Sequence, residues 1–159
     1  MPVAEYRTLL KAPIEKVWAF HSDAHAELAN MTPPEAHVQV ERADDPGVGA
    51  EVHMTVRTPI GRRKWVAIFR EWQPPTGSRP HRKAWFVDNA LKSPFKSWRH
   101  RHVFEEVVQG GRTQVLATDR VTYEVGFGPI GVLANKLIVK RELDKMFAYR
   151  HGVLHQRFG

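Results

Sequence analysis

The chain has 159 residues, enough for one domain with its own core, and no cysteine, which excludes disulfides, thiolate metal sites and a cysteine nucleophile. Its hydrophobic fraction of 42% and charged fraction of 26% are those of a folded globular protein and exclude disorder as the default state. The formal charge of +7 is concentrated between Arg57 and Arg112, where 13 Lys/Arg face four Asp/Glu. Net charge alone sets solubility and nonspecific attraction, so nucleic-acid or anionic-membrane binding is possible but not favoured.

The opening MPVAEYRTLLKAP lacks the apolar core of a signal peptide, and no apolar run approaches the roughly 18 residues a membrane span needs. A cytoplasmic location and a single domain over residues 1–159 are the expectations. AEYRTLLKA reads as a strand. Pro13 then suits the first turn of a short helix whose face carries Ile14, Val17, Trp18 and His21. A second short helix follows Asp23, a plausible N-cap, and TPPE ends it.

From there the period is two. Strands are expected over 37–43, 50–58, 62–72 and 81–90, through SPFKSWRHRHVFEE, and over 113–125, with Gly/Pro turns at hairpin spacing. The sheet should therefore be antiparallel. After Pro129, few breakers occur until Gly152, and Ile130, Leu133, Leu137, Leu143, Met146, Phe147 and Leu154 fall near one helical stripe. A long C-terminal helix must bury that stripe on the sheet, which makes the fold α+β.

Two turns set the register of the middle strands. If Gly110-Gly111 is a two-residue hairpin loop, His102 lies opposite Asp119, His100 opposite Val121 and Trp98 opposite Tyr123. The other face then pairs Arg101 with Arg120, tolerable only in water, so the histidine face turns inward. The TPIG turn likewise places Met54 opposite Trp65 and Val52 opposite Ala67. The inner wall then has an apolar and aromatic lining, including Phe69, with a polar group of His100, His102, Asp119 and Asp88. Such a surface is what small-molecule pockets present.

An Asp119–His102 pair can orient an imidazole for acid–base chemistry, or it can be an internal pair that only fixes register. His-x-His on a strand is also a metal-ligand spacing, and Asp119 would complete three ligands, but no further ligand is evident and no metal is expected. GFGPIG (126–131) lacks phosphate-loop spacing and reads as a strand-to-helix turn; hydrolase-elbow and zincin motifs are absent.

The segments IEKVWAFHSD, MTPPEAHV, WFVDNALKSPFKSWRHRHVFEE, TDRVTYEVGFGPIGVLANKL and FAYRH span nearly all of the chain. In this order the chain resembles the START-like (SRPBCC, Bet v 1-related) helix-grip superfamily, closest to bacterial polyketide cyclase/dehydrase-like proteins. The resemblance implies a curved sheet of about seven strands around a long C-terminal helix, with two short helices after the first strand. It also implies an apolar internal cavity for a lipid, polyketide, isoprenoid or aromatic ligand; separately, no cofactor is expected. Fold analogy alone does not supply an activity. The expected cavity residues are Met54, Trp65, Phe69, Asp88, Trp98, His100, His102, Val121, Tyr123, Met146 and Phe147.

Three readings stay open. Binding of a hydrophobic small molecule leads. A cyclase or dehydratase would use His102 as base, Asp119 to orient it and Tyr123 to polarise a carbonyl. An interaction module would use the basic outer sheet of Arg62, Lys64, Arg99 and Arg101.

Overall fold

The computed structural model describes residues 2–58, 61–126 and 129–159, without the side chains of His25 and of residues 129–136. Strand β1 (Val3–Leu10) is followed by α1 (Ile14–Ser22) and the single turn α2 (Ala24–Glu27). Pro13 stands just before α1, extended, and Asp23 caps α2 by accepting the backbone N–H of Ala26 at 3.1 Å. A 3-10 turn over Pro34–Ala36, which the prolines of TPPE did not suggest, leads into β2 (Gln39–Ala43). Then come β3 (Glu51–Thr58), β4 (Gly61–Thr76), β5 (Lys83–Lys92), β6 (Ser97–Gln109) and β7 (Arg112–Glu124), and finally α3 (Pro129–Phe158).

The seven strands form one curved antiparallel sheet in the order β1-β7-β6-β5-β4-β3-β2. Only the first strand leaves chain order, crossing to pair with the last; the rest are consecutive hairpins, as short Gly/Pro turns dictate. Strand β4 runs past its expected end through Pro74 and Pro75 by means of register shifts against β5. The bulges absorb residues that cannot donate to the ladder.

Register follows the turns. Gly110 and Gly111 hold φ of +59° and +75°, the left-handed pair a tight hairpin requires, and Gln109 faces Arg112. His102 therefore lies opposite Asp119, His100 opposite Val121 and Trp98 opposite Tyr123. Met54 faces Trp65 and Val52 faces Ala67, while residues 59–60 of the intervening turn lie outside the described residues. Along β6, Trp98, His100, His102 and Phe104 are all buried and Arg99 is exposed.

Helix α3 packs on the inner face through Leu143, Phe147 and Leu154, each 5% exposed or less. Phe147 stacks on Tyr6 of β1 with ring centroids 4.5 Å apart. At its end, the carbonyl of Phe158 accepts the N–H of Lys11 at 2.7 Å, tying the helix to the strand it follows in space. The stripe expected from the sequence needs one correction: Leu137 is 74% exposed. It precedes Leu143 by six residues, which on a helix rotates it about a third of a turn off the buried face. Ile130 and Leu133 lie outside the described side chains.

The core has two parts. One gathers Leu10, Ile14, Val17, Phe86, Phe104 and Leu154 under α1. The other gathers Ala4, Trp98, Val121, Tyr123, Leu143 and Phe147. His100 and His102 stand between the two, on the strand that contributes to both.

Candidate functional site

Between the sheet and α3 lies a cavity of about 1070 Å³. Its walls are Val52, Met54, Trp65, Phe69 and Trp98 from the sheet and Leu143 and Met146 from α3. Around the outside stand charged residues from separate elements: Glu35 in the 3-10 turn, Arg57 near the end of β3, and Glu142 and Lys145 on α3. One side of the wall is polar, formed by Asp88, His100, His102 and Arg150.

That polar group is a connected network. The His100 and His102 rings lie against each other, centroids 3.6 Å apart and tilted by 31°, and Phe86 stacks on His102 at 3.9 Å. Two carboxylates flank the imidazole pair. Asp88 Oδ2 lies 2.8 Å from His102 Nε2 and 4.0 Å from His100 Nδ1. On the opposite side, Asp119 Oδ1 lies 2.7 Å from His100 Nε2 and 3.2 Å from His102 Nδ1. The second oxygen of Asp119 is 2.7 Å from His151 Nε2 of α3. His102 Nδ1 is buried and makes no hydrogen bond, despite its closeness to Asp119.

Cross-strand register placed Asp119 opposite His102, but its short contacts are with His100 and His151. A carboxylate set opposite one residue of a strand reaches the diagonal neighbour two positions away on the same face, and here it does so. The partner of His102 is Asp88, which β5 brings in from the other side.

Burial opposes charge on every member, and the network overcomes it in part. For Asp119, burial acts upward, but the imidazoles of His100, His102 and His151 set against it outweigh burial and hold the carboxyl well below the usual range. Asp88 is likewise lowered against burial, chiefly by His102. Burial and the adjacent His102 push His100 down to about 4. His102 moves the other way: burial lowers it, yet Asp119 and Asp88 together raise it above its ordinary value. The arrangement at neutral pH is two carboxylates and a neutral His100, beside a His102 that holds its proton more tightly than a free imidazole.

Of the expected cavity residues, Met54, Trp65, Phe69, Asp88, Trp98, His100, His102 and Met146 line the cavity. Val121, Tyr123 and Phe147 are buried behind its wall and do not line it, nor does Asp119. Tyr123 is 3% exposed within the apolar cluster, which removes it from any carbonyl in the cavity.

No protein-family model matches the chain, and no curated protein matches it. Solved structures do. A START superfamily protein from Mycobacterium smegmatis superposes with a TM-score of 0.59 at 12% identity, over 98% of this chain and 96% of that one. The Zhui aromatase/cyclase from Streptomyces matches with a TM-score of 0.59 at 13% identity, over 96% and 90% of the two chains. Norcoclaurine synthase from Thalictrum flavum, solved with dopamine and hydroxybenzaldehyde, matches with a TM-score of 0.56 at 17% identity, over 96% and 86%. The chain has the START-like helix-grip fold.

Within this helix-grip fold three further polar residues join the site: Arg150 and His151 were not singled out from the sequence, and His21 was expected on the face of α1 in a surface or capping role rather than at the cavity. Arg150 is 7% exposed, borders the cavity and has a buried Nε without a partner. His151 reaches Asp119 from the same helical turn. His21 is 8% exposed, donates from Nδ1 to the Val17 carbonyl at 2.7 Å, and lines the cavity from α1. The signal for the first two was in FAYRH, where an adjacent Arg-His pair follows the buried Phe147 by three and four residues, on the same helix face.

Proposed function

We propose that this chain binds a hydrophobic small molecule in the cavity between sheet and α3, with the ligand's polar group set against Asp88, His102 and Arg150. The observation that carries this reading is the cavity: about 1070 Å³, walled mainly by apolar and aromatic side chains, with Asp88, His100, His102 and Arg150 together as a polar group in its wall. Small-molecule pockets measure about 300–1,000 Å³ and share that division between apolar wall and few convergent polar groups. The volume suits a lipid, polyketide or isoprenoid better than a single small ring. Neighbours of the same fold include an aromatase/cyclase and a synthase solved with two aromatic molecules, which supports a small-molecule partner in general terms.

Trp65 and Trp98 border the cavity, so an occupant is expected to change their emission. Native mass spectrometry of freshly purified protein, followed by titration with an apolar naphthalene-sulfonate dye, tests the reading. Retained ligand, or saturable dye binding at one equivalent with altered tryptophan emission, is the expected result. An empty protein that binds no dye overturns it.

A second reading, acid–base catalysis on the bound ligand, is favoured by one observation: His100, lowered to about 4, borders the cavity beside His102, which is raised above its ordinary value. Two titratable groups with pKa values driven apart are what an acid and a base require. In this version His102 donates and His100 accepts, which changes the roles assigned from sequence. Loss of turnover in His100→Gln with dye binding retained is the expected outcome; unchanged turnover dismisses it.

A further inference from the structure

The polar side of the cavity has the donor set of a metal centre. Asp88, His100 and His102 each offer one ligand atom, and these atoms all lie within 4.8 Å of one another. The two imidazoles come from alternate positions of one strand, which aims both rings to the same side. The atoms facing Asp88 are His100 Nδ1, at 4.0 Å, and His102 Nε2, at 2.8 Å. Zinc binds imidazole nitrogen and carboxylate oxygen at about 2.0–2.2 Å, which spaces ligands about 3.3 Å apart in a tetrahedron. Opening the shorter separation by about 0.5 Å and closing the longer by about 0.7 Å brings both to that spacing.

The remaining nitrogens support the same assignment. His100 Nε2 and His102 Nδ1 both turn to Asp119, at 2.7 and 3.2 Å. A carboxylate that receives the second N–H of metal-bound histidines fixes their tautomer and orientation. Without a cation the geometry is poor for a neutral His102. Its Nε2–H donates to Asp88, which leaves the Nδ1 lone pair facing the Asp119 carboxylate with no hydrogen bond. A proton on Nδ1 or a metal at Nε2 removes that conflict, since either leaves an N–H for Asp119.

We propose that Asp88 Oδ2, His100 Nδ1 and His102 Nε2 form a three-ligand site for a divalent first-row transition ion, with Asp119 as the carboxylate that orients both imidazoles. All three ligands border the cavity. A fourth position therefore opens toward the cavity, where water or an oxygen donor of the occupant completes the coordination. Three protein ligands and one open position are the pattern of reactive zinc sites, whereas structural sites are closed by four. Imidazole and carboxylate donors suit zinc, iron(II), cobalt or nickel, and the lack of thiolate disfavours copper(I). The site expected from sequence paired the histidines with Asp119; the fold puts Asp119 behind the cavity wall and supplies Asp88 as the ligand.

This goes beyond ligand binding and is tested without any organic ligand. The full chain, purified without a polyhistidine tag, is titrated with Zn²⁺ by calorimetry and with Co²⁺ by visible absorption. The ring nitrogens are followed in long-range ¹H–¹⁵N spectra. One equivalent of Zn²⁺ is expected to bind, with both the His100 and His102 ring nitrogens shifted. Asp119→Asn is expected to weaken binding about 10- to 100-fold with the fold retained, since orienting partners typically contribute that much. His100→Ala should abolish binding, while His53→Gln, on a histidine paired with Glu51 instead, should leave it unchanged. Should His100→Ala fail to fold, the wild-type ring-nitrogen shifts decide alone. No binding, or binding that leaves both rings unshifted, overturns the proposal, and neither result alters dye uptake by the cavity.

Discussion

His21 shows how one buried side chain couples stability to pH. It sits at the end of α1 with its Nδ1–H held by the Val17 carbonyl and its ring 4.5 Å from that of Phe104. Burial pushes its pKa from 6.5 down to about 3, against the smaller upward pull of the Val17 carbonyl and Asp119. As pH falls below 6.5 the unfolded chain takes a proton that the folded chain refuses until near pH 3. Stability is therefore lost across that window, by about 1.4 kcal/mol per pH unit from this group alone. In His21→Gln this component should vanish. Urea unfolding of both proteins at pH 7 and pH 5 checks it: the wild type should lose more stability than the variant. Equal losses would show that His21 is not the group responsible.

The β6–β7 hairpin shows what an element owes to its turn. Gly110 and Gly111 need positive φ, and a Cβ at either would meet nothing within 4 Å, so the cost of a side chain is purely conformational. Gly111→Val should cost about 1–2 kcal/mol, read as a lower urea midpoint with unchanged slope. The hairpin also sets the register that turns His100, His102 and Asp119 inward. A one-residue slip would send all three to the outer face.

Helix α3 offers a second test at this scale. Leu154 is fully buried in the cluster under α1 and Leu137 is 74% exposed. Leu154→Ala should cost about 2–5 kcal/mol and Leu137→Ala less than about 0.5 kcal/mol, measured by the same unfolding experiment. Helical spacing alone assigned both to one stripe. The distinction came from which face met the sheet.

At the scale of the whole molecule, the cavity is a gap left where sheet and helix do not touch. Ala67 is 7% exposed and borders it. Ala67→Trp should fill part of the space, leave the circular-dichroism spectrum intact and abolish the rise in melting temperature that a bound dye gives the wild type. Retention of that rise would move the binding site elsewhere. The outer face is less available than composition implied: Arg99 pairs with Glu71 at 3.1 Å, and Arg62 bonds Thr55 at 2.6 Å. Among the described residues no helix is long and apolar enough to cross a membrane.

Alternation and turn chemistry are local, and they were sufficient for much of this protein. Period-two patterning and Gly110-Gly111 determined that Trp98, His100 and His102 face inward opposite Tyr123, Val121 and Asp119. The order of strands and a long terminal helix determined a layered α+β fold. Tertiary structure decided what alternation cannot express. It set Asp88 of β5 against His102, turned Asp119 to His100 and His151, and left Val121, Tyr123 and Phe147 behind the wall that Met54, Trp65 and Met146 line. Sequence period tells which face a side chain takes. Only the packing of one layer on another tells whether that face meets a neighbour or a cavity.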